Sequence, residues 1–260
     1  FGGDRLIVAV VGDFDLEAMR IRLGEVFGDW PAASADLPSY EAVPRESGRR
    51  ILLVDKPGSS QTYFLIGNVS VPIDYPQRAD LQIANTLFGG RFTSILMTAL
   101  RVESGLTYDA RSTVSRHSAT GSVFINSFTQ TATAVQAIDL AIEKLGELHR
   151  KGVNDEMIAS ARNYIMGQFP PTLETASALA GMFAFLELNG LDRSYIDDYA
   201  DALAEATPVS VHNAISDVYP AVDDLVMILI GDAEAIRDDV ATYGPVTEIE
   251  ISDPGFRVQP

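Results

Sequence analysis

Two stretches of the chain repeat one another: RLIVAVVGDFD at residues 5–15 and DLVMILIGDAE at residues 224–234, which place Gly12 over Gly231 and Asp13 over Asp232. Each reads as a strand that is apolar along its whole length, the pattern of a strand with neighbours on both sides. An amphipathic helix follows the first copy, with Asp15 as N-cap and Leu16, Met19, Leu23, Val26 and Phe27 on one face; Ile236 and Val240 take a similar role after the second. Nothing precedes the first copy to pair with it. The repeat therefore predicts that residues 1–28 are the terminal strand and helix of a truncated first domain, followed by a second domain of similar construction. Chance similarity between two buried strands is the plain alternative, because Val/Ile/Leu runs ending in Gly-Asp are common.

Between the copies, residues 29–50 contain three prolines and many small or polar residues without helical or strand periodicity, so they read as a linker. The second domain is expected over residues 51–250, with a tail at 251–260. RILLVDKP and QTYFLIGNVSV read as strands turned by Pro57 and Gly58. QRADLQIANTLFGG and TSILMTALRVE read as helices, the second with Ile95, Leu96, Ala99 and Leu100 on one face. TYDARSTV and GSVFINSFT form a hairpin of strands, with Tyr108 beginning the first of them. The helix after it sets Val135, Ile138, Ile142, Leu145 and Leu148 at helical spacing. Three or four helices follow from Asn154 to Tyr219, one started by Thr207 as N-cap and Pro208 at the first position. The apolar strand of the second repeat closes the unit. This order predicts an α+β fold, a mainly antiparallel sheet with helices packed on one face.

Composition removes whole classes of function. The net charge of −17 repels polyphosphate and anionic lipid, so nucleic acid and membrane surfaces are not expected partners. The chain has no cysteine, hence no disulfide, thiolate nucleophile or Cys-type zinc site, and its compartment stays open. No apolar run reaches the length of a membrane span. The three histidines, His117, His149 and His212, stand apart, and none belongs to a His-x-x-Glu-His or His-x-x-x-His arrangement that would aim two imidazoles at zinc. No Gly-x-Ser-x-Gly elbow suggests a serine nucleophile. Gly89, Gly90 and Arg91 could cradle a phosphate, but a turn between helices is the simpler reading.

The segment that remains is VDKPGSSQTYFLIG followed by LFGGRFTSILMTALRVESGLTYDARS, with Arg101 and Tyr108 seven residues apart. It resembles the C-terminal half of the M16 metallopeptidases, the pitrilysin, insulinase and mitochondrial processing peptidase group. The resemblance covers nearly the whole chain, including VVGDFD and FGDWP, which look like the close of the family's N-terminal domain. It implies two similar halves closing around an unfolded peptide, with the zinc motif in the first half only. Arg101 and Tyr108 would then be the substrate-binding and transition-state residues of the zinc-free half. No cofactor is expected in this chain; zinc is expected in the missing N-terminal half or in a partner. The implied partners are a peptide or unfolded protein substrate and the zinc-bearing M16 domain or subunit, in a dimer. The compartment is left unassigned; a soluble bacterial protein is expected, with the periplasm slightly favoured over the cytoplasm.

Arg and Tyr suit that role on physical grounds. Donors aimed at an oxyanion developing on a peptide carbonyl, or at flanking carbonyls, stabilise the transition state of peptide hydrolysis. A guanidinium is always charged, and a phenol is a neutral donor. Arg101 is expected in the last turn of a helix that Gly105 ends in a left-handed conformation. The alternative is local: Arg101 as a charge complementing the helix dipole and Tyr108 as a half-buried strand aromatic. Three functions remain open: half of a zinc peptidase, inactive without its metal half; an Arg/Tyr subunit of a heteromeric peptidase; and a non-proteolytic scaffold of the same fold.

Overall fold

The computed structural model describes residues 2–253. In chain order the elements are α1 (Leu16–Phe27), β1 (Arg50–Asp55), β2 (Gln61–Ser70), α2 (Arg78–Asn85), α3 (Ile95–Met97), β3 (Ala110–Arg116), β4 (Gly121–Gln130) and α4 (Ala134–Lys151). There follow α5 (Asp155–Gln168), α6 (Ala176–Leu188), α7 (Ser194–Asp197), α8 (Tyr199–Glu205), α9 (Pro208–Val218), β5 (Val226–Gly231), α10 (Ala233–Val240) and β6 (Val246–Glu250). The chain gathers into two compact units, Phe1–Glu41 with Tyr164–Ala200, and Ala42–Asn163 with Asp201–Pro260.

In the first unit, Asp15 caps α1 as its sequence predicts, accepting from the Ala18 N–H at 2.8 Å. The strand expected over residues 5–15 is absent. Gly3–Arg5 form a 3₁₀ turn, and residues 6–11 carry no strand pairing, with Leu6, Ile7, Val8 and Val10 all more than a third exposed. The physical reason is the lack of a ladder: a strand exists only where a neighbour takes its N–H and C=O groups, and no strand in the unit offers one.

The second unit is a six-stranded sheet in the order β3-β4-β2-β5-β1-β6. The pairs β3/β4, β4/β2 and β2/β5 are antiparallel, while β1 runs parallel to both β5 and β6. The sheet is thus mainly antiparallel, with helices layered on one face. β6 is the element the sequence reading lacks: as a charged edge strand, VTEIE, it shows no apolar run. Inward residues alternate with outward ones along β2 and β4, so Phe64, Ile66, Val123 and Ile125 are buried. They belong to one core with Ala134, Ala137, Ile138, Ala141 and Leu145 of α4. That buried stripe is rotated from the predicted one toward alanines, because small side chains let the helix approach the sheet closely.

Residues 45–50 are strapped to the second unit. The Arg45 guanidinium donates to the Val218 carbonyl at 2.7 Å and the Asp217 carbonyl at 3.0 Å, at the C-terminal end of α9, where carbonyls lack helical partners. Asn68 donates to Glu46 and Asp224 carbonyls at 2.9 and 2.8 Å. Thr207 caps α9 with Pro208 in its first turn, as the sequence predicts, and the structure adds a reciprocal capping box with Ser210. Of the expected tail at 251–260, residues 254–260 lie outside the described residues.

Candidate functional site: an arginine and two aromatic rings beside an open sheet face

The segment from Thr86 to Asp109 is not a pair of plain helices. Thr86–Gly90 and Thr98–Glu103 are both π-helical turns. Such widened turns insert a residue and often occur where a side chain must be re-aimed. Gly89 is buried because the turn lies against β3; a Cβ there would fall 2.1 Å from the Ser112 nitrogen. This close approach accounts for Gly89. The buried Ser94 then caps α3, accepting from the Met97 N–H at 3.3 Å.

The helix ends as a C-terminal glycine motif one residue wider than usual. Gly105 has φ +65°, and the Leu106 N–H reaches back to the Leu100 carbonyl at 2.9 Å. The loop beyond is anchored by hydroxyls. The buried Thr107 donates to the Phe128 carbonyl at 2.5 Å, Thr129 donates to the Leu106 carbonyl at 2.5 Å, and Ser127 donates to the Asp109 carbonyl at 2.7 Å. Sequence reasoning missed this Thr/Ser ladder; its one signal is the run of hydroxyls at alternate positions, Ser127 and Thr129, on the inward face of β4. The strand β3 begins at Ala110, so Tyr108 is a loop residue and not the first residue of a strand as expected. The hydroxyl anchors hold that loop out of the ladder.

Arg101 and Tyr108 meet. The Arg101 guanidinium carbon lies 4.3 Å from the centre of the Tyr108 ring and 5.0 Å from the centre of the Phe92 ring, both within cation–π range. Tyr108 is 72% exposed and Phe92 61% exposed, while Arg101 is half-buried. Among the described residues, no carboxylate or carbonyl accepts from the Arg101 guanidinium and no group bonds the Tyr108 hydroxyl. The guanidinium carbon therefore sits over both rings, while its N–H groups have no acceptor among the described residues. Beside Tyr108, Asp109 is held in an ion pair with Arg111 at 2.9 Å.

Asp109 also borders a feature the sequence reading did not identify. On the outward face of the sheet Tyr63 and Leu65 are left exposed. Tyr63 and Phe128 stack there with ring centres 5.2 Å apart. Together with Leu65, Ile228 and Ile230 they line a depression of about 350 Å³. An adjoining depression of about 360 Å³ shares Leu65 and Ile228 and extends to Phe124 and Val226. The signal was present in the alternation: Tyr63, Leu65, Phe124 and Phe128 are apolar at positions where a one-faced sheet would carry polar residues.

The histidines do not assemble. His149 Nε2 lies 3.0 Å from the Pro220 carbonyl, and burial holds its protonation below the ordinary histidine value, with His212 and Arg45 adding repulsion. His117 lies by Ser115 at 3.4 Å. Among the described residues no group of three or more His, Asp or Glu could hold a metal ion, so the donor set does not fit zinc. No helix among them is long and apolar enough to cross a membrane.

A six-stranded mixed sheet thus carries Arg101 and Tyr108 on the segment that leads into its edge strand β3. The chain belongs to the M16 peptidase family: the family model described as the peptidase M16 inactive domain matches residues 1–165. It is 22% identical over 187 residues to an uncharacterized zinc protease of Mycobacterium leprae (strain TN), covering 72% of this chain and 42% of that protein. It is 24% identical over 178 residues to the non-peptidase homolog YmxG of Helicobacter pylori (strain ATCC 700392 / 26695), covering 67% of this chain and 40% of that one. The fold matches the crystal structure of a peptidase M16 inactive domain from Pseudomonas fluorescens with a TM-score of 0.76 at 22% identity, covering 85% of this chain and 52% of that one. The chain thus spans about two fifths of the length of the two curated relatives.

Proposed function

We propose that this chain is the substrate-binding half of a zinc-dependent M16 peptidase, holding an unfolded peptide against a metal site that another domain or subunit supplies. The observation that carries the reading is Arg101: a guanidinium stacked by Tyr108 at 4.3 Å, with its edge donors unspent. In an acidic chain, an arginine that pairs with no carboxylate among the described residues retains its donors for a ligand. A peptide carbonyl is a neutral acceptor that such donors suit, and a carbonyl gaining negative charge during hydrolysis suits them better still. The exposed Tyr108 hydroxyl supplies a further donor from the loop that follows the π-turn.

The apolar sheet face offers the rest of the peptide a surface for its side chains. A folded protein would have to present a matching surface, whereas an extended chain can lay alternate side chains into the two depressions. Zinc, when present in the other half, would supply the activated water; the residues of this chain bind and orient the peptide and move no proton. A second reading, a non-catalytic Arg/Tyr subunit working with a separate zinc-bearing chain, draws on the likeness to the non-peptidase homolog of Helicobacter pylori.

The test is kinetic, with the zinc-bearing half present. Arg101→Ala and Tyr108→Phe should each lower turnover by roughly 10²–10³, the usual loss for one oxyanion-type donor. Their losses should combine to less than the product, because both groups hold one segment. Full activity in Tyr108→Phe, which keeps the ring and deletes one hydroxyl, would retire the pair as substrate-binding residues.

A further inference from the structure

Phe92 is a large aromatic side chain left 61% exposed on a turn anchored at Gly89, Arg91 and Ser94. On one side Gly89 packs onto β3, and Arg91 donates to Ser160 at 3.0 Å. On the other, Ser94 is buried as the cap of α3, and its N–H closes the turn onto the Arg91 carbonyl at 3.1 Å. The backbone thus presents Phe92 outward in a fixed position. Its ring faces the Arg101 guanidinium carbon at 5.0 Å. The direction follows from helix geometry: Arg101 leaves the π-turn with its side chain leaning toward the N-terminal end, where Phe92 stands.

We infer that Phe92 is a positioning residue for Arg101, a reading that rests on the proposed role of Arg101 in holding peptide. A long guanidinium side chain without a hydrogen-bond partner would sample many rotamers. Two rings remove that freedom without consuming a donor, since rings engage the face of the guanidinium and leave its edge available. A carboxylate in the place of Phe92 would also fix Arg101, but it would occupy the donors that the peptide needs. The aromatic turn therefore orients the arginine and keeps it vacant.

The experiment has two arms on the full chain. In the first, the Arg101 Nε–Hε resonance, assigned by its loss in Arg101→Lys, is followed by NMR. Phe92→Ala and Phe92→Leu should shift and broaden it, and Phe92→Tyr should restore it, since only the tyrosine keeps a ring. In the second, peptide turnover is measured with the zinc-bearing half present; Phe92→Ala and Phe92→Leu should lose about 2- to 5-fold, the range of an exposed cation–π contact, in kcat more than in KM, and Phe92→Tyr should recover it. An unchanged Nε–Hε resonance in Phe92→Ala overturns the inference, as does full turnover in that variant while Arg101→Ala is impaired. If Arg101→Ala is itself fully active, the peptide-holding reading falls and the role of Phe92 falls with it.

Discussion

Gly89 and Gly105 flank the site and resist substitution for different reasons. A Cβ on Gly89 would sit 2.1 Å from the Ser112 backbone nitrogen, and a backbone atom within a strand cannot step aside. Gly89→Ala should therefore lose at least the roughly 1–3 kcal/mol typical of overpacking, read as a lowered midpoint in denaturant unfolding. Gly105 has open space around it but a φ of +65°. Gly105→Ala should cost only about 1–2 kcal/mol, the strain of a left-handed residue with a Cβ. His149 makes stability depend on pH. Its protonation is depressed in the fold by burial, so the unfolded chain binds more protons once the pH drops below the ordinary histidine value of about 6.5. Stability should fall as pH is lowered from that point and level off below the folded-state value. Thermal melts of His149→Gln across that range should show a shallower slope.

At the scale of elements, the repeated Gly-Asp motif has an account in only one of its copies. In the second, a Cβ on Gly231 would meet Thr62 Oγ1 at 2.6 Å, and Asp232 accepts from the Gly58 N–H at 3.0 Å, fixing the turn between β1 and β2. Asp55 completes the joint by accepting from the Ala233 N–H at 2.9 Å at the start of α10. In the first copy a Cβ on Gly12 would meet nothing closer than Phe14 at 3.8 Å. The loop of Tyr108 depends on a different element, the inward hydroxyls of β4. Thr107→Val should leave the Phe128 carbonyl without its buried donor and cost about 1–3 kcal/mol. Hydrogen exchange should report it as faster exchange at Leu106 and Thr107, with the core strands unaffected; uniform acceleration across the sheet would contradict a local anchor.

For the molecule as a whole, the scattered placement of its three histidines forecasts weak metal binding. Purified with added zinc, the chain should retain well under one zinc per molecule by elemental analysis, because no ligand set is brought together among the described residues. About one tightly held zinc per chain would overturn the assignment of this unit as the metal-free half.

The α+β class, the strand and helix order of the second unit as far as β5, the caps at Asp15 and Thr207 and the turn at Gly105 were legible because each rests on local rules: period-2 and period-3.6 patterning, cap chemistry and glycine's freedom at positive φ. The Arg-to-Tyr spacing was legible as a motif, though not as a contact. Tertiary structure alone decided the rest. Whether an apolar run becomes a strand depends on a partner, which Val226–Gly231 has and residues 6–11 lack. The parallel pairing of β1 with β5 and β6 depends on the return path of the chain, which periodicity does not encode. The meeting of Phe92, Arg101 and Tyr108 depends on two π-turns, Thr86–Gly90 packed on β3 and Thr98–Glu103 packed on α4. Local sequence specifies what a segment can be; long-range packing selects which of its groups meet and which face stays open.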